Sequence, residues 1–300
     1  MYNIISSLLT PKLISRLDNL ELLAMQIVEG FITGLHTSPF HGFSVEFSEH
    51  RPYMRGDDLR HVDWKVLARK ERYFIKQYEE ETNLRCQIIL DISRSMAFSS
   101  GDHISKLNYS KVLTAALTYI LLRQRDAVGL FLFSDKVHKR YPAKSLPNYF
   151  YHLAAEIQKT EAGAPTMIGA VLHDIADRIH RRSLVILISD LLDDADVLLK
   201  GIRHLKHNQH EIIVFNITDP LEHRMDMKGQ FLFRDMENPA LKIKTDTKYI
   251  RREYEAAVKK HFDFIARKLQ EMNVHYVPLT TANPIEKALT QYMLSRKKMY

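Results

Sequence analysis

Short, almost wholly apolar runs alternate with amphipathic stretches through most of this chain, and that alternation restricts its fold more than any other feature. Cys86, Ile88, Ile89 and Leu90 form one nearly continuous apolar segment, and residues 126–133, 183–189, 211–217 and 274–279 form others. Apolar side chains at both alternate positions mark strands covered on two faces. Between them lie helical spacings at 106–125, where Val112, Ala115, Ala116, Tyr119 and Leu122 recur, and at 147–159, 167–180, 197–207, 247–272 and 284–294. Strand and helix in turn predict an α/β fold: a Rossmann-like, mostly parallel sheet flanked by helices, with right-handed crossovers. Residues 136–141 read as a hairpin partner of 126–133, and 231–233 with 241–243 as a hairpin around Asn238-Pro239.

Upstream the text changes character, which divides the chain into an N-terminal helix and loop region, residues 1–80, and an α/β domain, residues 81–300. Leu13, Leu17, Leu20, Ala24, Ile27, Val28 and Phe31 have helical spacing across 11–35. A loop with a small strand at 42–47 follows, then a turn feeding a helix at 56–67 with Asp57 as its cap, then a strand at 73–80. Leu59, Val62, Trp64 and Val66 are too apolar to stay in water together, so the 56–64 segment is expected to pack on the α/β domain.

The strand at 84–90 ends abruptly in Asp91-Ile92-Ser93-Arg94-Ser95. In open α/β sheets ligands sit beyond the carboxyl ends of the strands, near a reversal of strand order. Asp91, Ser93 and Ser95 would project there from one turn, and all three are hard oxygen donors. A small hard cation such as Mg2+ takes oxygen ligands in an octahedron and keeps water or a partner's oxygen in some positions. Two further oxygens are expected from other loops. Thr166 precedes a helix and Asp190 closes the strand at 183–189, both on the same edge of the sheet. Taken singly, Thr166 reads equally well as a helix cap and Asp190 as turn chemistry; the five together point to a metal site.

Composition trims the remaining classes. A 45% hydrophobic content is ample for a packed core. No apolar run reaches the roughly eighteen residues of a membrane span. The first twelve residues lack a secretory signal pattern, and a single cysteine fits a reducing compartment, so a cytoplasmic location is expected. A net charge of +7 and a pI near 9.2 permit contact with nucleic acid, an anionic membrane or an acidic protein, and choose none of these. The basic pairs Arg181-Arg182, Arg251-Arg252 and Lys259-Lys260 are scattered and carry no nucleic-acid motif, so no specific nucleic acid is expected. His204, His207 and His210 lack the Cys or Glu partners of a zinc pattern.

Among enzymes, an aspartate-nucleophile phosphatase wants a second acid two residues after the first, where this chain has Ser93. No Gly-x-Ser-x-Gly elbow and no Gly-x-x-x-x-Gly-Lys-Ser/Thr loop is present. The competing class is a metal-dependent hydrolase, a phosphatase or nuclease, using Asp91 and Asp190. It would require an aimed water with a general base, or a second cation.

The set Asp91-x-Ser93-x-Ser95, Thr166 and Asp190 resembles the metal-ion-dependent adhesion site of the von Willebrand factor type A fold. The stretches Glu46-Phe47-Ser48-Glu49-His50-Arg51-Pro52-Tyr53 and Gly56-Asp57-Asp58-Leu59-Arg60-His61-Val62-Asp63-Trp64, with Glu80 ahead of the strand, are similar to the bacterial domain-of-unknown-function-58 family. The resemblance implies a von Willebrand factor A-like domain from about residue 84 to the end. It also implies a cytoplasmic adaptor encoded beside a MoxR-type AAA+ ATPase, serving chaperone-like maturation or assembly of a client protein. By family analogy Ser93, Ser95 and Thr166 touch Mg2+ or Mn2+ directly, and Asp91 and Asp190 do so directly or through water. Neutral hydroxyls leave the cation electrophilic toward an acidic side chain of a partner, and Arg94 would speed encounter with an acidic surface. Such a module binds and does not catalyse. Many family members carry membrane helices ahead of the motif region, a feature this sequence lacks.

Overall fold

The structure, a computed structural model, describes residues 19–36, 50–52, 74–76, 84–236 and 240–297. These residues fall into two compact units, one holding those up to Phe31 and from Leu84 onward, the other those between Ile32 and Asn83. In the smaller unit, β1 (His50–Pro52) pairs antiparallel with β2 (Phe74–Lys76), with Arg51 opposite Ile75. The strand expected at 42–47 and the capped helix expected at 56–67 lie outside the described residues.

The larger unit opens with helix α1 (Leu20–His36), of which the residues through Phe31 belong to it. The remainder of the helix expected from residue 11 lies outside the described residues. Leu20, Leu23, Ala24, Ile27, Val28 and Phe31 are buried, as the helical spacing requires.

The chain then runs β3 (Arg85–Asp91), a short 3-10 turn at Arg94–Ala97, α2 (Lys106–Arg123), β4 (Ala127–Phe133), β5 (Val137–Lys144), α3 (Tyr149–Gln158) and α4 (Ile168–Arg178). It continues through β6 (Leu184–Ser189), α5 (Ala195–His207), β7 (Glu211–Thr218), a single turn α6 (Pro220–His223), β8 (Gln230–Arg234), β9 (Lys242–Asp246), α7 (Thr247–Glu271), β10 (His275–Thr280) and α8 (Ile285–Lys297).

Six strands form one sheet in the order β10-β7-β6-β3-β4-β5, parallel throughout except for the antiparallel edge strand β5. Pro142 sits in β5, which fits an edge, where a missing N–H need cost no ladder bond. From β3 the chain builds outward through β4 and β5, then returns to place β6 on the other side of β3. The reversal of strand order therefore lies between β3 and β6. This is the mostly parallel, helix-flanked sheet that the alternation of apolar runs predicts. The hairpin expected at 231–233 and 241–243 is the separate β8–β9 ribbon, Phe233 opposite Ile243.

Alternate side chains of the central strands fill two layers. Ile89, Phe131, Phe133, Val185, Leu187, Ile212 and Val214 pack with Ile168, Leu172 and Ile175 of α4, Leu198, Ile202 and Leu205 of α5, and Ile265 and Leu269 of α7. Ile88, Leu90, Leu130, Ile186, Ile188 and Phe215 are equally buried on the opposite face, which α2 and α8 cover.

Helices α4 and α5 approach closely because two glycines interlock. A Cβ added to Gly169 would lie 2.2 Å from Val197 Cγ1 and 2.7 Å from Val197 O, and one added to Gly201 would lie 2.8 Å from Leu172 Cβ. Helix α5 starts two residues before the apolar spacing suggests, because Asp194 caps it by accepting from Asp196 N at 2.9 Å and Val197 N at 3.1 Å.

Candidate metal-binding site

Asp91 is the last residue of β3 and is completely buried. The chain turns sharply there: Ser93 N donates to Asp91 Oδ1 at 2.8 Å, an Asx turn that folds the following residues back over the strand end. That fold brings two hydroxyls together, with Ser93 Oγ and Ser95 Oγ hydrogen-bonded to each other at 3.1 Å in a buried position. From the neighbouring strand Ser189 Oγ donates to Asp91 Oδ2 at 2.6 Å, so both oxygens of this carboxylate are held.

Asp190 follows directly and is also buried. The turn after it is tight, for Leu191 adopts φ 55, a left-handed backbone that a branched side chain takes only at a cost of about 1 kcal/mol or more. Leu191 N donates to Ser189 Oγ at 3.1 Å, Leu192 N to Asp190 Oδ1 at 3.3 Å, and His261 Nε2 lies 2.9 Å from Leu191 O; these hold the strained turn.

Thr166 is half-buried on the loop before α4. That loop is tied to the Asp91 turn by Gly163 N to Ile92 O and Arg94 N to Ala164 O, both 3.0 Å, and by Arg94 Nε to Gly163 O at 3.2 Å. Farther along, Met167 N donates to Ser134 O at 3.2 Å and Ile168 N to Asp193 Oδ2 at 3.0 Å. The loops carrying Asp91, Thr166 and Asp190 thus meet at one end of the sheet, beside the reversal of strand order. Arg94 stays exposed at the rim.

The electrostatics are uneven. Burial, and then the nearby carboxylate of Asp190, push Asp91 up to about 7, against the bonds from Ser189 and Ser93 that pull it down. Asp190 has a cation of its own: Lys106 Nζ, fully buried at the start of α2, lies 2.8 Å from Asp190 Oδ2 and 2.5 Å from Glu222 Oε1. Burial pulls the ammonium's pKa down, Asp190 and Glu222 push it up, and the balance lies above the ordinary lysine value. Sequence reading found neither Lys106 nor Ser189. The one signal for Lys106 was its place at the first position of a helix, where the dipole disfavours a cation.

The oxygens fit a small hard cation on two observations. Ligands about 2.0–2.1 Å from Mg2+ at right angles would lie about 3 Å apart, and the Ser93 and Ser95 hydroxyls are separated by 3.1 Å. Beside them a buried carboxylate faces a second one, a charge arrangement that a cation relieves. Asp91 and Asp190, although hydrogen-bonded, keep further lone pairs for a cation or a bridging water. Among the described residues no group of three or more His, Cys, Asp or Glu gathers that could hold a metal ion, so a cation at this site would depend on the hydroxyls as well as the two carboxylates. His204 instead meets His173, Nδ1 to Nδ1 at 2.9 Å, while His210 is buried and accepts from Ser183 N.

Residues 49–263 match the family described as protein of unknown function DUF58. The chain belongs to the DUF58 family. It is 22% identical over 291 residues to Rv1480 of Mycobacterium tuberculosis and to Mb1516 of Mycobacterium bovis, each described as an uncharacterized protein, with 96% of this chain and 91% of theirs covered. Solved structures similar to this DUF58 chain include the conserved hypothetical protein BatB of Bacteroides thetaiotaomicron, at 17% identity and a TM-score of 0.47, covering 71% of this chain and 99% of that one. An aerotolerance-related membrane protein of Bacteroides fragilis gives 19% and 0.48, with 69% and 97% covered. The VWA domain of SpRpn10 gives 13% and 0.39, with 69% and 94% covered. The DUF58 chain has the mostly parallel sheet between helices that its sequence predicts. Among its described residues no helix is long and apolar enough to cross a membrane.

Proposed function

We propose that this chain is a non-enzymatic, cation-dependent protein-interaction adaptor. Ser93, Ser95 and Thr166 would hold Mg2+ or Mn2+ directly, and Asp91 and Asp190 directly or through water. The observation that carries this reading is the Ser93–Ser95 oxygen pair, 3.1 Å apart beside a buried carboxylate where the strand order reverses. A cation held by neutral hydroxyls keeps most of its charge and offers an open position to a partner's Asp or Glu. Binding fits better than hydrolysis: Asp91 accepts from Ser93 N and Ser189 Oγ, and Asp190 from Leu192 N and Lys106. With those bonds made, the lone pairs that remain on the two carboxylates are the ones the cation or its bridging waters would take.

The family resemblance supports a MoxR-type AAA+ ATPase as partner, with an acidic client delivered to it in the cytoplasm. Exposed Arg94 at the rim suits an acidic surface and would speed encounter. Binding of the immobilised protein to a MoxR-type ATPase, measured in Mg2+ and in chelator, tests the proposal. Binding is expected in Mg2+ only, with loss in Asp91→Ala and Ser93→Ala and slower association at high salt. Equal affinities in the two buffers, or a phosphatase or nuclease activity that vanishes with Asp91, would favour the hydrolase reading.

A further inference from the structure

Lys106 stands where a lysine is hardest to keep. It is the first residue of α2, at the positive end of the helix dipole, and its side chain is fully buried. An unpaired ammonium there would be strongly disfavoured. Two carboxylates make the position tolerable, and they come from different parts of the fold: Asp190 from the end of β6, Glu222 from α6.

The two acceptors are each held at their second oxygen and differ in what lies around them. Glu222 is locked into the capping box of α6, its Oε2 accepting from Asp219 N at 2.8 Å, and Asp219 in turn accepts from Leu221 N and from both N and Oγ of Ser100. The ring of Phe98, 5.8 Å from Nζ, closes the pocket further. Asp190 Oδ1 accepts from Leu192 N at 3.3 Å, and its charge lies near enough to bear on the buried carboxylate of Asp91, which accepts from the adjacent Ser189. The ammonium is thus fixed on one side by Glu222 and shared on the other with the candidate cation site.

We propose that Lys106 is the counter-cation built into this site, a positioning residue that shares Asp190 with the divalent cation and thereby sets that cation's affinity. This inference rests on the divalent-cation reading above. It gives Glu222 a role as well, since drawing the ammonium toward Glu222 leaves more of Asp190's charge for the metal. The two residues therefore act with opposite signs, which a purely structural salt bridge would not do.

The test is a titration of the full chain with Mn2+, following free Mn2+ by electron paramagnetic resonance, with circular dichroism to confirm folding. Lys106→Met is expected to tighten Mn2+ binding by about tenfold or more, because a like charge next to the site is removed from a poorly screened position. Glu222→Gln is expected to weaken it several-fold, because Lys106 then bears on Asp190 alone. Glu222 is partly exposed and its substitution is the milder one, so it carries the test if Lys106→Met does not fold. Affinities that fall in both variants, or that stay within twofold of wild type in folded protein, would overturn the proposal while leaving the cation site standing. Absence of Mn2+ binding in wild type and in both variants would overturn the cation reading, and this inference with it.

Discussion

Ser189 Oγ donates to Asp91 Oδ2 at 2.6 Å, joining the carboxyl ends of two adjacent parallel strands. The same hydroxyl accepts from Leu191 N, so one side chain fixes both the candidate ligand of β3 and the strained turn that follows Asp190. Ser189→Ala is expected to lower stability by about 1–3 kcal/mol, the cost of leaving a buried acceptor without its donor. It should also weaken Mg2+ or Mn2+ binding more than Ser183→Ala, a control just ahead of the opposite end of the same strand. Urea unfolding and metal titration of the two variants check this.

Asp91 gives the metal-free protein a distinctive pH dependence. Its folded pKa, about 7, lies above the unfolded value of about 3.9. Between those values the folded state holds a proton that the unfolded state has lost. Stability from this group is therefore full below about pH 4, declines as pH rises through the window, and is gone above about pH 7. Relative to Asp91→Asn, wild type in chelator should lose on the order of a few kcal/mol between pH 4.5 and 8. Parallel stability curves for the two proteins would show that Asp91 is not buried beside a second carboxylate.

Helix packing next to the site offers a test with no chemistry in it. Gly169 lies in the first turn of α4, three residues after Thr166, and its missing Cβ is what lets Val197 of α5 approach. Gly169→Ala is expected to cost about 1–3 kcal/mol through overpacking and to displace the Thr166 loop. Ala170, exposed on the same helix, is the control: Ala170→Ser should stay within about 0.5 kcal/mol of wild type.

The only cysteine, Cys86, sits in the middle of the sheet with no exposure, and burial followed by the charge of Asp126 pushes its thiol well above the ordinary range. An aromatic disulfide reagent at pH 8 should leave it untouched in the folded protein and react only as the β3 core unfolds. Rapid stoichiometric labelling under native conditions would contradict the burial of β3.

The strands were legible because each central one is apolar at nearly every position, and Asp91 and Asp190 because each interrupts such a run. Ser93 and Ser95 were legible from spacing alone, since an Asx turn brings them back to the acid that starts it. Lys106 was not. It lies 84 residues from Asp190, and a lysine opening a helix reads as solvated until the fold buries it. Nor was Ser189, whose place at the end of an apolar strand resembles an ordinary exit from a sheet. The turn α6 is four residues long, too short for any periodicity, yet it supplies the Glu222 that holds Lys106.

The central claim, that the Asp91 turn holds a divalent cation, is tested most directly by calorimetric titration of chelator-stripped protein with Mn2+, beside Asp91→Ala and Asp190→Ala. One weakly bound Mn2+ per chain in wild type is expected, with no measurable binding in Asp91→Ala, a similar loss in Asp190→Ala, and native circular dichroism in both. Equal affinities in wild type and the two folded variants, or no heat of binding in any of them, would contradict the claim.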